Sequence, residues 1–322
     1  MKRRGADKFF PPIKPYHSGY LSVGDGHEIY YEECGNPNGV PVLYLHGGPG
    51  AGCDENARRF FDPKKCYIII FDQRGSGRST PYASIYANTT QHLINDIRKL
   101  LNHLGKQKVL VFGGSWGSTL ALVYTINHPE TVLGMVLRGI FLSERSEVRD
   151  YLEGIPNTRF PEIWARYISH VPLDAYHNPA DYYLTQMTSE NPGLREMYAY
   201  ECEYYESALI NLIPKSLKEL EREIKSYPYV SLSVLEAHYI LNLCFLEDEY
   251  ILKNAHRIPR VPISIIHGRY DDVCQVKSAI RLHHALPTSK LHIVIAGHSR
   301  TDPEILKKLV SETDLMILKL KK

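Results

Sequence analysis

A chain of 322 residues with 43% hydrophobic content carries enough apolar material for a packed core, in one elaborated domain or two ordinary ones. Its 38 basic and 36 acidic side chains leave a formal charge of +2 with no long single-sign run, which removes the electrostatic case for wrapping nucleic acid or coating an anionic membrane. No apolar run approaches the roughly 20 residues of a membrane span, and the start lacks the apolar stretch of a secretory signal, so a cytoplasmic protein is expected.

In chain order, the basic start at 1–4 is too short to argue from, and the proline-rich stretch 10–15 reads as an extended lead-in. Runs rich in Tyr, Ile, Val and Leu at 28–34, 42–46 and 67–72 predict strands. Over 90–104 the residues Leu93, Ile94, Ile97, Leu100, Leu101 and Leu104 recur at a helical period, and Gly105 stops the run. A strand at 108–112, a helix at 118–127 ended by His128-Pro129, and a strand at 132–137 follow. This β-α-β-α-β order calls for a mostly parallel sheet covered by helices on both faces.

From 141 to 257 the texture becomes tyrosine-rich and helix-periodic, with helices expected at 194–213, 217–226 and 231–246 and no convincing strand. The βα pattern resumes with a strand at 262–267, a helix at 276–285, a strand at 290–295 and a last helix from Pro303. The expected organisation is therefore a catalytic α/β domain made of 1–140 and 258–322, interrupted by a helical cap domain at 141–257. Such a cap belongs over the carboxyl ends of the strands, where open α/β sheets bind ligands.

The six cysteines, Cys34, Cys53, Cys66, Cys202, Cys244 and Cys274, show no CxxC spacing, which argues against a zinc knuckle or redox pair. The 15 histidines include no HExxH and no set with metal-ligand spacing, so no metal is expected, and His283-His284 reads as an exposed helix face.

Gly113-Gly-Ser115-Trp-Gly117 lies between a strand and a helix, the context in which G-x-S-x-G forms a nucleophile elbow of the α/β-hydrolase type. A serine hydroxyl needs a base, and in that fold an acid and then a histidine follow later in the chain. Asp271, after the strand ending at His267, and His298, after the next strand, occur in that order, with Asp272 the local rival for the acid. The oxyanion needs two preorganised donors. The Trp116 amide is one; the loop His46-Gly-Gly-Pro-Gly50 offers Gly48 as the other, with Gly47 as the alternative donor and a substrate-lining position. No Lys-Ser/Thr follows that loop, which disfavours a phosphate cradle, and Gly75-Ser-Gly77 lacks the third glycine of a dinucleotide fingerprint, leaving a structural turn.

Together, His46-Gly-Gly-Pro-Gly50, Asp72-Gln-Arg-Gly-Ser-Gly-Arg-Ser79, Gly113-Gly-Ser-Trp-Gly-Ser-Thr-Leu-Ala-Leu122 and Gly268-Arg-Tyr-Asp271 resemble the proline iminopeptidases, cytosolic serine peptidases of the S33 type. The resemblance runs over nearly the whole chain. It implies an α/β-hydrolase fold with an inserted helical cap, release of N-terminal proline from peptides without metal or cofactor, and Ser115, Asp271 and His298 as the triad. It also implies that cap carboxylates hold the substrate's free imino group, with Glu206 and Glu236 at the matching positions and Phe141 packing on the proline ring. Helical spacing supports this by aligning Glu206 with Ala199, Cys202, Leu209 and Ile210, and Glu236 with Leu232, Ile240 and Leu243. Glu201 has a partly similar claim.

The chain departs from the family at Cys202 and Tyr205, where tryptophans are common, and at Asp150-Tyr-Leu152, which bears on pocket shape. Cys274 reads as either a thiol within reach of reagents or an inert buried one. The alternatives to a prolyl aminopeptidase are a capped esterase acting on neutral substrates and a non-catalytic binding protein on a hydrolase scaffold.

Overall fold

The computed structural model describes residues 9–320, so the basic start at 1–4 lies outside the described residues. Eight strands form one sheet: β1 (His17–Gly24), β2 (His27–Gly35), β3 (Val40–Leu45), β4 (Cys66–Phe71), β5 (Val109–Gly114), β6 (Val132–Arg138), β7 (Ile263–Gly268) and β8 (Lys290–Val294). Their spatial order is β1-β2-β4-β3-β5-β6-β7-β8; β2 pairs antiparallel with both β1 and β4, and the remaining neighbours pair in parallel.

The continuous apolar runs of the central strands follow from burial on both faces. In β4, Tyr67, Ile69 and Phe71 enter one core while Cys66, Ile68 and Ile70 enter the other; Val109/Val111 and Leu110/Phe112 of β5 divide the same way. The first core is closed by α1 (Thr90–His103), α2 (Trp116–Asn127) and, beyond the insertion, the helix Val276–Ala285. The second is closed by the carboxyl-terminal helix Pro303–Leu320 and the turn Glu55–Phe60. In α1 the buried residues Leu93, Ile94, Ile97, Leu100 and Leu101 form the inward stripe, and the Lys106 amide closes the helix on Leu101 O at 2.8 Å.

Between β6 and β7 the described chain is helical: α3 (Arg145–Arg149), a π turn (Asp150–Gly154), α4 (Ile155–Arg159), α5 (Pro161–Ile168), α6 (Pro179–Met187), α7 (Pro192–Leu209), α8 (Leu217–Ile224), α9 (Tyr229–Leu241) and α10 (Tyr250–Lys253). The chain then continues through β7, α11 (Val276–Ala285), β8 and α12 (Pro303–Leu320). The insertion has its own aromatic centre, in which Tyr167 stacks on Tyr183 at 4.2 Å and packs on Tyr205 at 4.7 Å. It meets the sheet domain through Ser231 Oγ, which donates to Gly50 O at 2.9 Å, and through the Trp116 ring against Tyr239 at 4.9 Å.

Two elements differ from expectation. Strand β1 was not anticipated because it is an outer strand with mostly exposed side chains and weak alternation; its signal is the Asp25-Gly26 turn that reverses it into β2. The helix expected over 231–246 ends at Leu241, and Leu243, Cys244 and Phe245 take left-handed φ values of 47°, 52° and 56°. Contacts with α1 impose this: Thr90 Oγ1 donates to Cys244 O, and Gln91 Nε2 to Phe245 O at 3.1 Å. Among the described residues no single helix is long and apolar enough to cross a membrane.

The loop after β4 is anchored by Arg74, which is 2% exposed. Its Nε and Nη2 donate to Asp96 at 2.6 and 2.9 Å, and its remaining donors reach Ala87 O, Val23 O and Asp25. One guanidinium thus joins α1, the β1–β2 turn and the loop that leads to the site. Arg74→Ala leaves the fully buried Asp96 carboxylate without its partner and is expected to destabilise the protein by about 3–5 kcal/mol, measured as a fall in the urea unfolding midpoint at constant slope.

Candidate active site

The site grows from the turn between β5 and α2. Ser115 has φ 57° and ψ −130°, a conformation that projects its side chain outward while its amide is held by Arg138 O at 2.9 Å. The turn tolerates this only because two neighbours lack a Cβ: one at Gly113 would stand 2.2 Å from Gly117 O, and one at Gly117 would stand 2.2 Å from Leu45 O. Ser115 is the N-cap of α2, so the positive end of the helix faces its hydroxyl.

His298 Nε2 lies 2.9 Å from Ser115 Oγ, and its Nδ1 lies 2.8 Å from Asp271 Oδ2. The other oxygen, Oδ1, accepts from the amides of Val273 (3.1 Å) and Cys274 (2.7 Å). Burial pushes the Asp271 carboxyl up, but the adjoining His298 and the amide donors outweigh it and hold the group below its ordinary value. Asp272 instead ion-pairs with Arg159, away from the imidazole.

Residues missed by the sequence reading brace these three. His267 is fully buried; its Nδ1 accepts the Ile140 amide at 3.0 Å, so the proton sits on Nε2, which donates to Cys274 O at 2.7 Å. Arg138 Nη1 donates to His298 O at 2.7 Å. Gln73 joins the elbow to the glycine loop: it accepts from Trp116 Nε1 (2.9 Å), donates from Nε2 to His46 O (3.0 Å), and its amide donates to His46 Nε2 (2.9 Å). His46 Nδ1–H then donates to Gly47 O at 2.9 Å. Gly47 packs against Ser115, and the amides of Gly48 and Trp116 make no hydrogen bond to another described residue. Only spatial proximity reveals these supports, apart from the Asp72-Gln73 motif quoted for the resemblance.

The insertion brings acid to the same place. The carboxyls of Glu206 on α7 and Glu236 on α9 meet closely enough to share a hydrogen bond, and Tyr151 OH donates to Glu236 Oε1 at 3.1 Å. Burial and the neighbouring Glu236 push the Glu206 carboxyl far above its ordinary value, while burial raises that of Glu236 to about 7. His298 and Arg138 exert an opposing field on Glu206, so the pair lies within electrostatic reach of the triad. Glu206 keeps some exposed surface yet is enclosed by protein on most sides. Glu201 is elsewhere, accepting Arg166 through both oxygens at 2.7 and 2.8 Å.

Phe141 is half-buried, its carbonyl accepting from Thr119 Oγ1 at 2.7 Å, and it lines a narrow crevice of about 10 Å³ with Tyr151, Val273 and Cys274. Cys274 is buried, and burial pushes its thiol well above the ordinary value, which opposes thiolate reactivity. Cys202 and Tyr205 line the acid pocket from α7, with Tyr205 OH donating to Tyr151 O at 3.0 Å. A larger surface cleft of about 480 Å³, around Arg98, Lys106, Lys108 and Glu130, lies at the amino ends of the strands and holds none of these groups. Among the described residues no cluster of His, Cys, Asp and Glu is arranged to hold a metal ion.

A mostly parallel sheet whose strand ends carry a strained serine hydrogen-bonded to a buried histidine–aspartate pair defines an α/β hydrolase. The family model for the alpha/beta hydrolase fold matches residues 40–178. A probable proline iminopeptidase of Leptolyngbya boryana is 42% identical over 313 residues, covering 96% of this chain and 97% of that protein. The proline iminopeptidase of Xylella fastidiosa (strain 9a5c) is 42% identical over 310 residues, covering 96% and 99%, and that of Arabidopsis thaliana is 40% identical over 317 residues, covering 95% and 81%. The chain belongs to the proline iminopeptidase family. Among solved structures, the esterase RhEst1 from Rhodococcus sp. ECU1013 superposes with a TM-score of 0.64 at 19% identity, covering 94% of this chain and 99% of that one. A proline iminopeptidase-related protein from Thermus thermophilus gives 0.62 at 20% identity, covering 96% and 100%. These two likenesses bear on the fold alone.

The histidine loop is also held from the insertion, since Ile210 O at the end of α7 accepts the amides of His298 and Ser299, both at 2.9 Å. Gly297 lies beneath this contact, where a Cβ would come within 2.7 Å of Leu212 N and 3.0 Å of Ile210 O. Gly297→Ala should force α7 and the loop apart and lower kcat by about 10- to 100-fold, measured by steady-state hydrolysis of a prolyl arylamide with the melting temperature as a control.

Proposed function

We propose that this protein is a serine aminopeptidase that releases N-terminal proline from peptides, with 141–257 serving as a cap domain over a catalytic domain made of 1–140 and 258–322. The observation that carries the reading is the enclosed carboxyl pair Glu206 and Glu236, within electrostatic reach of the triad and, among the described residues, in no ion pair with a cation. A secondary ammonium ~4 Å from a carboxylate, at an effective dielectric near 20, gains on the order of 4 kcal/mol before desolvation is charged against it. A blocked amine brings no such charge and leaves the acids uncompensated. An esterase acting on neutral substrates would have no use for this pair, which is why the aminopeptidase reading is preferred over the esterase one.

In the reaction, His298 Nε2 takes the Ser115 proton along the 2.9 Å contact and Oγ attacks the prolyl carbonyl carbon. The oxyanion is received by the Trp116 and Gly48 amides, which are not engaged elsewhere. His298 then gives its proton to the leaving amine, the C–N bond breaks, and a prolyl ester of Ser115 remains. Water, deprotonated by the same imidazole, attacks that ester and frees proline. Asp271 fixes the imidazole tautomer and stabilises the imidazolium throughout, its own charge secured by the Val273 and Cys274 amides. Phe141, which shares a narrow crevice with Tyr151, packs on the proline ring, and Tyr151 supports Glu236 through its hydroxyl.

Release of arylamine from a prolyl arylamide tests the roles separately. Ser115→Ala should lower kcat by at least about 1,000-fold with KM little changed. Glu236→Gln should lower kcat/KM by about 10- to 100-fold, mainly through KM, and narrow the preference for Pro- over N-acetyl-Pro-arylamide. Full turnover in the serine variant, or unchanged rejection of the acetylated substrate in the glutamate variant, refutes the respective assignment.

A further inference from the structure

The amine pocket contains a third acid. Glu203 precedes Glu206 by three positions on α7, so the two share a face of the helix. It is 4% exposed; Ser207 Oγ (2.7 Å) and Tyr227 OH donate to its Oε1, while its Oε2 has no partner. Glu236, 8% exposed, likewise has an unpartnered buried Oε2. Glu203 Oε2 thus has no donor, and Glu236 Oε2 none besides the neighbouring Glu206 carboxyl, among the described residues.

The surroundings do not neutralise this cluster. Tyr227 and, from α8, Glu223 face Glu203; Tyr151 faces Glu236; and from the sheet domain His298 and Arg138 act on Glu206, neither in an ion pair with it. Like charges brought close together in an enclosed site repel, so three neighbouring enclosed carboxyls cannot all be ionised in the empty pocket. Burial together with Glu206 raises the Glu203 carboxyl to about 8, in keeping with this.

We propose that Glu203 is a specificity-determining member of the amine site, and that Glu203, Glu206 and Glu236 jointly hold a proton in the empty pocket that the substrate's ammonium displaces. The inference rests on the reading of Glu206 and Glu236 as the amine's receivers. In the exchange, a carboxyl O–H bond breaks, its proton leaves to solvent, and the substrate's N–H donors take over the freed oxygens; the substrate keeps its charge. Binding therefore strengthens as pH rises through the range in which the cluster still carries the proton, because the free state binds more protons than the complex. A neutral acylated amine cannot drive the exchange, so rejection of blocked ends is sharper than a hydrogen-bond mismatch alone would make it.

Calorimetric titration of L-prolinamide into the His298→Ala protein, in phosphate and in Tris at pH 7.5, counts the proton with the catalytic imidazole removed from the balance. Release of about one-half to one proton per prolinamide is expected. Adding Glu203→Gln should roughly halve the release and weaken binding about fivefold, and Tyr227→Phe, which removes a donor from Glu203 without changing charge, should weaken it about twofold. Equal heats in the two buffers, or unaltered affinity and proton count in both variants, overturn the proposal while leaving amine recognition by the other two glutamates standing. Binding of N-acetylprolinamide as tight as that of prolinamide overturns that recognition itself.

Discussion

The site depends on a backbone contact with no room for a side chain. Gly117 at the start of α2 presses so closely on Leu45 O at the end of β3 that the elbow, the glycine loop and the serine form one rigid block. Because β3 and β5 are neighbouring parallel strands, their carboxyl ends deliver both halves of that block to the same edge of the sheet. The histidine and aspartate arrive from β7 and β8 on the far side of β6, and Arg138 at the end of β6 holds the seam by binding Ser115 and His298 through its backbone and side chain respectively.

Much of this was legible from residue order alone. The split of β4 and β5 side chains between two cores is what continuous apolar strands imply, and the helical stripe of α1 lies where its spacing put it. Helical spacing also put Glu206 and Glu236 on apolar faces, and Glu201, which had a competing claim, is taken up by Arg166. Glu203 was passed over because it falls beside the apolar stripe; burial there comes from Tyr227 and Ser207 closing over it, a tertiary matter. The same reason hid His267 and Gln73, whose roles consist of hydrogen bonds to atoms distant in sequence. Strand β1 and the left-handed run at Leu243, Cys244 and Phe245 were obscured for the opposite reason: weak local signals there are overruled by pairing with β2 and α1.

The distribution of charge partners separates structure from chemistry. Away from the site, several buried acids are matched by arginines: Asp96 by Arg74, Glu32 by Arg58 through two bonds of 2.8 and 2.9 Å, and Glu201 by Arg166. Such pairs fix geometry at little net gain, since desolvation consumes most of the attraction. In the acid pocket the matching stops, and carboxyls stand enclosed with tyrosines and one another for company. Folding bears that unfavourable concentration of acid groups without internal relief, which is the condition under which an incoming cation binds strongly.

The grip of Ile210 on two successive amides also restricts how the molecule can open. Were the insertion to swing upward as a stiff flap hinged at its two ends, α7 would leave with its last carbonyl, and the imidazole at the serine would lose its seat with every cycle. A gate built that way would dismantle the machinery it guards. Any opening that preserves the catalytic geometry must therefore leave the end of α7 seated on the histidine loop.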